Sequence, residues 1–487
     1  MFLKLILTLS LLVVEQQTWP GFMGAGSTAI DHETLPTKWS PTENISWKTT
    51  IAGQGQSAPI IWNDKIFVTT IEGLMKDHCH LIALSVAEGK IIWDYKTGSN
   101  VKIRSSRTQS RAAPTPIADA NGVYAFFETG NLVALKHDGT LLWEKFLAKE
   151  FGPFETNIGL ASSPLQTEEA IVLLLDHEGP SCLVAFDKKD GHIIWKTARE
   201  SRNSYASPAL IEMGKSQRHI VCSSSGSVDG YDPRTGKHIW GYENVGGNNV
   251  ATPFQVSIGK FLVGAQAGMH NEREKEAKKS NFLMTVDTSG DFAKPKVEWL
   301  SPTLASFANP MAHQGLAYWT SKVGTVSVYD ITTGKEVFSF RLKDTCWAAP
   351  FAAGDKIYFF GKDGLTSIIK AGPEFKLLAE NRLWPEELSI PTRRNPDNDT
   401  SGKEPTKSRL IPAQKTESSI NDSNAEKTSA KSFPRQTQGP IFSDPVQYGF
   451  AVINGSIVIR TGSAVHLIHQ KPNKLIWLPN KTQGNIS

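Results

Sequence analysis

The residues best suited to metal chemistry in this sequence are two histidines that flank a cysteine, His78, Cys79 and His80. Successive side chains of a β-strand point to opposite faces, so both imidazoles would lie on one face and the thiol on the other. Two imidazoles can ligate zinc, but a structural zinc site has four ligands, and no second pair stands nearby. We interpret the triplet as a polar strand entry and predict no metal site.

The four cysteines, Cys79, Cys182, Cys222 and Cys346, include neither an adjacent pair nor a Cys-x-x-Cys motif. An even number in an oxidising compartment permits two disulfides, although the sequence does not indicate their pairing. Free cysteine also packs as a small hydrophobic side chain. We favour four isolated cysteines that are buried in strands.

Motifs for hydrolytic and phosphate chemistry are absent. There is no Gly-x-Ser-x-Gly nucleophile elbow, no phosphate-cradling glycine loop and no His-Glu-x-x-His zinc motif. The small-residue turns at 224–226 and 246–247 are not followed by a helical pattern. We therefore predict no catalytic residues and assign no cofactor-binding residues.

Composition is consistent with a large folded core rather than a nucleic-acid-binding surface. The chain has 487 residues, of which 39% are hydrophobic, and contains 13 Trp, 39 Gly and 27 Pro. The net charge of +4 is small for this length. Many turns and an interior rich in aromatic residues are expected.

A short unit recurs along the chain: an apolar strand, a turn containing Gly, and a second strand that carries Trp. Gly supplies the backbone freedom that a tight hairpin needs, and the Trp ring can bury a large flat surface against a neighbouring unit. One such hairpin cannot bury its own face, so the repeat predicts a stacked architecture. The copies, of which the fifth is degenerate and the sixth has Phe in the Trp position, lie at residues 81–93, 132–143, 183–195, 228–240, 282–299 and 326–338.

A second periodic mark is a Pro that follows a small or polar residue and precedes an apolar stretch. Pro is tolerated at the first residue of a strand, and small residues suit strands crowded around a channel. The spacing is 40 to 57 residues, except that the last interval also contains a polar insertion. The marks predict eight modules, and they begin at Pro59, Pro116, Pro164, Pro208, Pro253, Pro310, Pro350 and Pro445.

These units resemble the pyrroloquinoline-quinone (PQQ) repeat, with its Ala-Leu-Asp-like strand, Thr-Gly-Lys turn and Trp strand. The segment Trp19-Pro20-Gly21-Phe22 and residues 35–47 also look like the start of exported PQQ-binding-like propeller proteins, which include BamB-type outer-membrane assembly factors. The resemblance implies an all-β, eight-bladed β-propeller with four-stranded antiparallel blades. It does not imply bound PQQ.

Quinoprotein dehydrogenases share this repeat, which makes a PQQ-dependent oxidoreductase the alternative function. They resemble one another in an adjacent Cys-Cys pair over the quinone, a calcium-binding acid or amide group, and an Asp base. This sequence has no Cys-Cys pair, and no residues can be carried over from that set. We therefore expect neither catalysis nor a cofactor, because fold alone does not confer function.

The N-terminus has the pattern of an export signal. A positive charge at Lys4 precedes the apolar run 5–14, which is short for a bilayer span. We predict that residues 1–18 are a signal peptide or a retained N-terminal anchor. The chain is then exported to the periplasm or cell envelope.

The remaining domain boundaries follow from composition. Residues 19–390 are expected to hold blades 1 to 7 and an N-terminal closing strand, and 439–487 the last blade and a C-terminal tail. Residues 391–438 have few large apolar side chains and are predicted to be a disordered insertion, either a neutral loop or a tether. Two Trp-bearing strands, at 45–48 and at 475–477, compete to close the ring.

The function expected from these observations is a non-catalytic, protein-binding or scaffolding propeller, with a role in cell-envelope or outer-membrane protein assembly as one instance. Protein partners would bind the loops of a propeller face. We expect a monomer that binds no nucleic acid and contacts a membrane only through an uncleaved N-terminal segment.

Overall fold

A computed structural model describes residues 18–386 and 445–470, apart from 25, 31–34, 100, 105–110, 157–158, 215, 248, 269, 448 and 454. The predicted signal segment except its last residue, the predicted insertion 391–438 and the competing closing strand 475–477 lie outside these residues. The boundaries predicted there therefore remain predictions.

The described residues form eight sheets, and the strands of each blade pair antiparallel with one another. Three short strands precede the first complete blade: β1 (Thr18–Trp19), β2 (Ala29–Ile30) and β3 (Ile45–Thr50). Blades 1 to 4 then comprise β4 (Ile60–Trp62), β5 (Lys65–Glu72), β6 (His78–Ser85), β7 (Ile91–Gly98); β8 (Ile117–Asp119), β9 (Gly122–Phe126), β10 (Asn131–Leu135), β11 (Leu141–Phe146); β12 (Leu165–Gln166), β13 (Ala170–Leu175), β14 (Cys182–Asp187), β15 (Ile193–Ala198); and β16 (Ala209–Gly214), β17 (Gln217–Ser223), β18 (Gly226–Tyr231), β19 (His238–Val245).

Blades 5 to 8 continue the same pattern, and two short helices lie in loops. The strands are β20 (Phe254–Ser257), β21 (Lys260–Val263), β22 (Phe282–Asp287), β23 (Lys294–Leu300); β24 (Met311–His313), β25 (Leu316–Thr320), β26 (Thr325–Asp330), β27 (Glu336–Arg341); β28 (Phe351–Ala353), β29 (Lys356–Phe360), β30 (Leu365–Lys370), β31 (Leu377–Arg382); and β32 (Phe450–Ile453), β33 (Ser456–Arg460), β34 (Ala464–His469). The helices are α1 (Leu147–Phe151) and α2 (Glu274–Ala277).

The predicted all-β, eight-bladed propeller is therefore confirmed. In blades 1 to 7, the predicted Pro directly precedes the innermost strand. The middle strands are buried on both faces, whereas outermost strands such as β3 and β23 alternate between half-buried and exposed residues. That alternation is expected for a strand with one face on a neighbouring blade and one in solvent.

The N-terminal strand β3 closes the ring. It pairs antiparallel with β34 and so becomes the outermost strand of blade 8, as the first of the two predicted alternatives proposed. The buried guanidinium of Arg460 in blade 8 reinforces the closure by donating to the Ser57 and Thr69 carbonyl oxygens of blade 1, at 2.9 and 2.6 Å. Pairing the two ends of the chain removes a free sheet edge.

Adjacent blades are joined by a contact between a Trp ring and a turn Gly. Gly89, Gly139, Gly191, Gly236 and Gly334 all have positive φ, and a Cβ added to any of them would lie 2.3 to 2.9 Å from the preceding blade's Trp ring. Four of these indoles also donate to a carbonyl oxygen of the next blade, each at 3.0 Å. The turn Gly thus serves both the left-handed backbone and the close approach of the ring.

A chain of hydrogen bonds links the innermost strands. In blades 1 to 5, the residue before the starting Pro donates its N–H to the side chain of the equivalent residue in the next blade, with donor–acceptor distances of 2.9 to 3.2 Å. The participants, in order, are Ala58, Thr115, Ser163, Ser207, Thr252 and Asn309. Five of these residues are therefore acceptors, a role that small size alone did not predict.

We predict that Gly236→Ala destabilises the protein by about 1–3 kcal/mol more than Gly315→Ala. Both glycines have φ near +70°, but a Cβ at Gly236 would lie 2.3 Å from the Trp195 ring, whereas nothing lies within 4 Å at Gly315. The shared backbone strain cancels, so the difference measures overpacking against Trp195. Urea unfolding of the two variants measures it, and equal losses would contradict the contact.

A second prediction concerns pH and His466 in blade 8. Burial lowers the pKa of His466 to about 4, and neither ring nitrogen has a hydrogen-bond partner among the described residues. Below pH 6.5 this histidine is protonated in the unfolded chain but stays neutral in the folded chain. The free energy of unfolding therefore falls as the pH falls. Between pH 7.5 and pH 5 this loss is about 2 kcal/mol.

Replacing His466 with Leu should remove that part of the pH dependence. The measurement is the free energy of unfolding at the two pH values for the wild type and the variant. His78→Gln, at an exposed position, is the control and should retain the wild-type slope. An unchanged slope in His466→Leu would show that His466 is not the group responsible.

Candidate functional site

The cysteines are buried and chemically quiet. All four are free; Cys79, Cys182 and Cys222 lie in β6, β14 and β17. Burial raises the pKa of Cys79 and Cys222 to about 12 and that of Cys182 to about 11, so these thiols stay protonated near neutral pH. The predicted isolation and burial of the cysteines are confirmed, but the prediction that all four lie in strands is wrong for Cys346, which lies outside the named strands.

The histidine pair near Cys79 does not converge on a common site. His78 is exposed, whereas His80 is buried and lies 2.9 Å from an Asp94 oxygen and 3.3 Å from a Glu72 oxygen. Burial lowers the pKa of His80, but its interactions with the Asp94 and Glu72 carboxylates, which accept from the imidazole, outweigh burial and raise the pKa overall. His80 therefore forms a charge pair within blade 1.

One group of potential metal ligands occurs in the described part of the chain, at the turn after β14. It comprises Asp187, Asp190 and His192, the last two of which are exposed. The carboxylates accept N–H bonds from Lys189 and His192 at 2.7 and 3.0 Å. These are ordinary bonds of an aspartate-rich turn, and we assign no metal site to it.

The propeller has two distinct faces because its strands alternate in direction. The tight turns between the first and second strands and between the third and fourth lie on one side, here called the turn face. The longer connections between blades lie on the opposite side, here called the loop face. The Trp–Gly contacts are at the turn face.

Buried ion pairs bridge blades near the loop face. Lys76 of blade 1 lies 3.6 Å from Glu128 of blade 2, and both side chains are inaccessible to solvent. Arg199 donates to Asp176 of its own blade 3 at 2.9 Å and lies 3.4 Å from Asp229 of blade 4. Removing one member would strand a buried charge, so these pairs set the relation between neighbouring blades rather than offering free ligands.

The described residues of the chain's own N-terminal segment 18–30, all except residue 25, lie in the central channel. β1 pairs with β4 of blade 1, the Pro20 carbonyl accepts from Ala118 of blade 2, and β2 pairs in parallel with β28 of blade 7. Both ends of the segment point towards the turn face. Two of the sheets consequently have five strands, which the repeat pattern did not predict.

Side chains of this segment fill the space between blades. The Trp19 ring is 6% exposed and packs on Phe351 of blade 7 and Phe450 of blade 8, with ring centroids 6.1 and 5.9 Å apart. Across the channel, Met23 Sδ lies 2.7 Å from the Asn309 amide nitrogen. Sequence reasoning missed this role, although the apolar stretch directly after the signal segment was a usable indication.

A cavity of about 320 Å³ remains beside the segment, against blades 3 and 4 at the turn face. We call it the blade 3–4 cavity. It adjoins a larger groove of about 840 Å³ between the same blades, and the two share Gln166, Leu210 and Arg218 in their linings. Volumes of this size suit a small ligand or a few residues of a peptide. Its walls include Phe22, Met23, Leu165, Leu210 and Gln166.

We predict that Trp19→Ala lowers the free energy of unfolding by about 3 kcal/mol because a buried indole is lost from the channel. Proteolysis within residues 18–30 should also become faster, since the segment loses its anchor. Phe292→Ala, at a side chain that is 81% exposed, is the control and should change neither quantity. A Trp19→Ala variant as stable as the wild type would place the segment outside the channel.

The chain was then compared with known proteins. The model of a family described as "Outer membrane protein assembly factor BamB" matches residues 31–164 and 153–268. A curated BamB from Burkholderia pseudomallei (strain K96243) is 24% identical over 216 residues, 43% of this chain. The aligned part spans only half (50%) of that relative.

Solved structures show the same fold at low sequence identity. BamB from Moraxella catarrhalis has a TM-score of 0.52 at 12% identity, covering 87% of this chain and 97% of its own. A quinohemoprotein alcohol dehydrogenase from Comamonas testosteroni has a TM-score of 0.51 at 11% identity, and the match covers 75% of this chain and 73% of the dehydrogenase. The designed Ika8 protein also has a TM-score of 0.51 at 11% identity, and the match covers 86% of this chain and 98% of the designed protein. The closed ring and these matches show that the chain is an eight-bladed β-propeller protein whose residues 31–268 are similar to BamB.

Proposed function

We propose that this chain is a non-catalytic, exported scaffold that binds proteins of the cell envelope and assists the assembly of outer-membrane proteins. The relatives named as outer-membrane assembly factors suggest this role. The observation that carries the proposal is the occupation of the central channel by residues 18–30. The chain's own polypeptide bonds to the inner sheet edges of blades 1, 2 and 7, which leaves the other inner edges and the outer surfaces for macromolecules.

The cysteine positions argue against quinone chemistry. The resemblance to quinoprotein dehydrogenases implies an adjacent Cys-Cys pair, whereas these cysteines lie in separate blades or before blade 7, and burial holds their thiol pKa values high. Trp19 and Met23 also occupy the space inside the ring. The residues present therefore do not fit PQQ. Similarity to the dehydrogenase concerns the fold alone.

The proposed location is the periplasm or cell envelope, with the propeller acting as a monomer. No helix among the described residues is both long and apolar enough to cross a bilayer. A net charge of +4 on 487 residues favours a protein partner over nucleic acid. In this proposal the N-terminal segment preceding the channel is either removed or retained as the membrane anchor.

The test is a deletion strain of the source organism, complemented with the full-length chain. We expect deletion to lower the folded, heat-modifiable fraction of outer-membrane β-barrel proteins and the wild-type chain to restore it. Cys79→Ala and Cys346→Ala should restore it equally, because a scaffold does not use these thiols. The tagged chain should also retain an envelope protein through a high-salt wash.

One result would instead support the alternative function, a PQQ-dependent oxidoreductase. If the purified chain, supplied with PQQ and calcium, takes up quinone stoichiometrically and oxidises an alcohol with a dye acceptor, the chain is an oxidoreductase. Loss of that oxidation in the cysteine variants would reinforce this conclusion. Unchanged folding of outer-membrane proteins in the deletion strain would also overturn the assembly role.

A further inference from the structure

The innermost strands carry backbone groups that point into the channel at a regular position, the second residue after the starting Pro. In blade 2 this residue is Ala118, whose N–H donates to the Pro20 carbonyl at 2.9 Å. In blade 7 it is Ala352, whose N–H donates to the Thr28 carbonyl at 2.8 Å. The N-terminal segment thus adds to the inner sheet edges by backbone hydrogen bonds.

The equivalent residues of blades 3 and 4 are Gln166 and Leu210. Thr167 N–H donates to the Ala170 carbonyl within blade 3, so the backbone groups of Gln166 point the other way, into the channel. In β16, the backbone carbonyl of Glu212 points away from β17 and accepts from Gly259 of blade 5 at 2.7 Å. The backbone groups of Leu210, two residues earlier in the same strand, therefore also point away from β17. Within the described part of the chain, no backbone partner meets these groups of Gln166 or Leu210.

The blade 3–4 cavity lies directly against both residues. The Gln166 amide nitrogen bridges to the Ala118 carbonyl at 3.2 Å, but its buried Oε1 has no partner in the described structure. Phe22 of the N-terminal segment also lines the cavity, as do the charged residues Glu212 and Arg218. The cavity therefore combines unused backbone groups, a buried acceptor and a lining of apolar and polar side chains.

We propose that the blade 3–4 cavity binds an extended, uncharged segment of a partner protein with alternating apolar and polar side chains, which adds by backbone hydrogen bonds to the inner edges of blades 3 and 4 at Gln166 and Leu210. The proposal rests on the proposed protein-binding function and names its surface. The cavity continues the track on which residues 18–30 already add to blades 1, 2 and 7, so the occupant is expected to resemble that segment chemically. Main-chain bonds supply affinity in this mode, and side-chain pockets supply selectivity.

The groove leading from the cavity indicates how a longer segment would leave the channel. It passes between blades 3 and 4 and is lined by Ile194, Trp195, Glu169 and Arg234 as well as by the shared residues. Its charged residues have both signs, so they do not select a strongly charged partner. An extended chain with alternating apolar and polar side chains matches this lining.

The experiment uses a fluorescent heptapeptide, Val-Thr-Val-Tyr-Val-Thr-Val with blocked ends, and the full-length chain. We expect measurable binding and a loss of about tenfold or more when alternate peptide nitrogens are methylated, because backbone donors are removed. Leu210→Pro, which deletes one channel-facing N–H, should weaken binding by a similar factor. Ala312→Pro, at the equivalent position of blade 6 and outside the cavity lining, should bind within about twofold of the wild type.

A readout on the wild-type chain keeps the test decisive if Leu210→Pro fails to fold. Saturating peptide should slow amide hydrogen exchange at Leu210 and Gln166 by about tenfold, the effect of one new hydrogen bond. Unchanged exchange, or equal binding of methylated and unmethylated peptide, would overturn strand addition. If the Leu210→Pro and Ala312→Pro variants retain an envelope partner equally well, the blade 3–4 cavity is not the binding surface. The proposed scaffold function would still stand.

Discussion

The contact between the Trp of one blade and the turn Gly of the next is the interaction on which this fold depends. A four-stranded blade has two apolar faces and cannot bury both by itself, so each blade requires a neighbour. The indole of one blade covers the apolar face of the next blade at its turn. Only a glycine at that turn leaves enough space for the ring. Where the Gly contact is missing, the packing changes: Trp240 bonds to His219 of its own blade, and Phe340 stacks on Phe375 of the next.

Closing the ring extends the same requirement to the chain ends. β3 gives blade 8 its outer strand, and its Trp47 packs on Gly89 of blade 1, so the closing blade joins its neighbour as the others do. Arg460 adds buried hydrogen bonds across this junction, while the ion pairs at the loop face cross two others. A buried charge needs its partner, which makes these pairs specific for the order of blades.

The central channel connects this architecture to function. A ring of innermost strands leaves backbone groups facing inward, and such groups need partners. Residues of the N-terminal segment satisfy them in blades 1, 2 and 7. Blades 3 and 4 keep theirs beside an apolar cavity. The fold is shared with quinoprotein enzymes, yet in the scaffold that we propose its inner edges bind polypeptide, because chemistry is decided by local residues and not by the ring.

The sequence by itself determined the repeat, the number of blades, their strand starts and the role of the Trp strands, because these features depend on local patterns of two to twenty residues. It also indicated that the cysteines are isolated. Only the tertiary structure decided that residues 18–30 fill the channel, that Thr115 and its equivalents accept hydrogen bonds, and that Gln166 and Leu210 border a cavity. These facts join residues far apart in the chain, and which distant segments meet is set by the circular packing of whole blades.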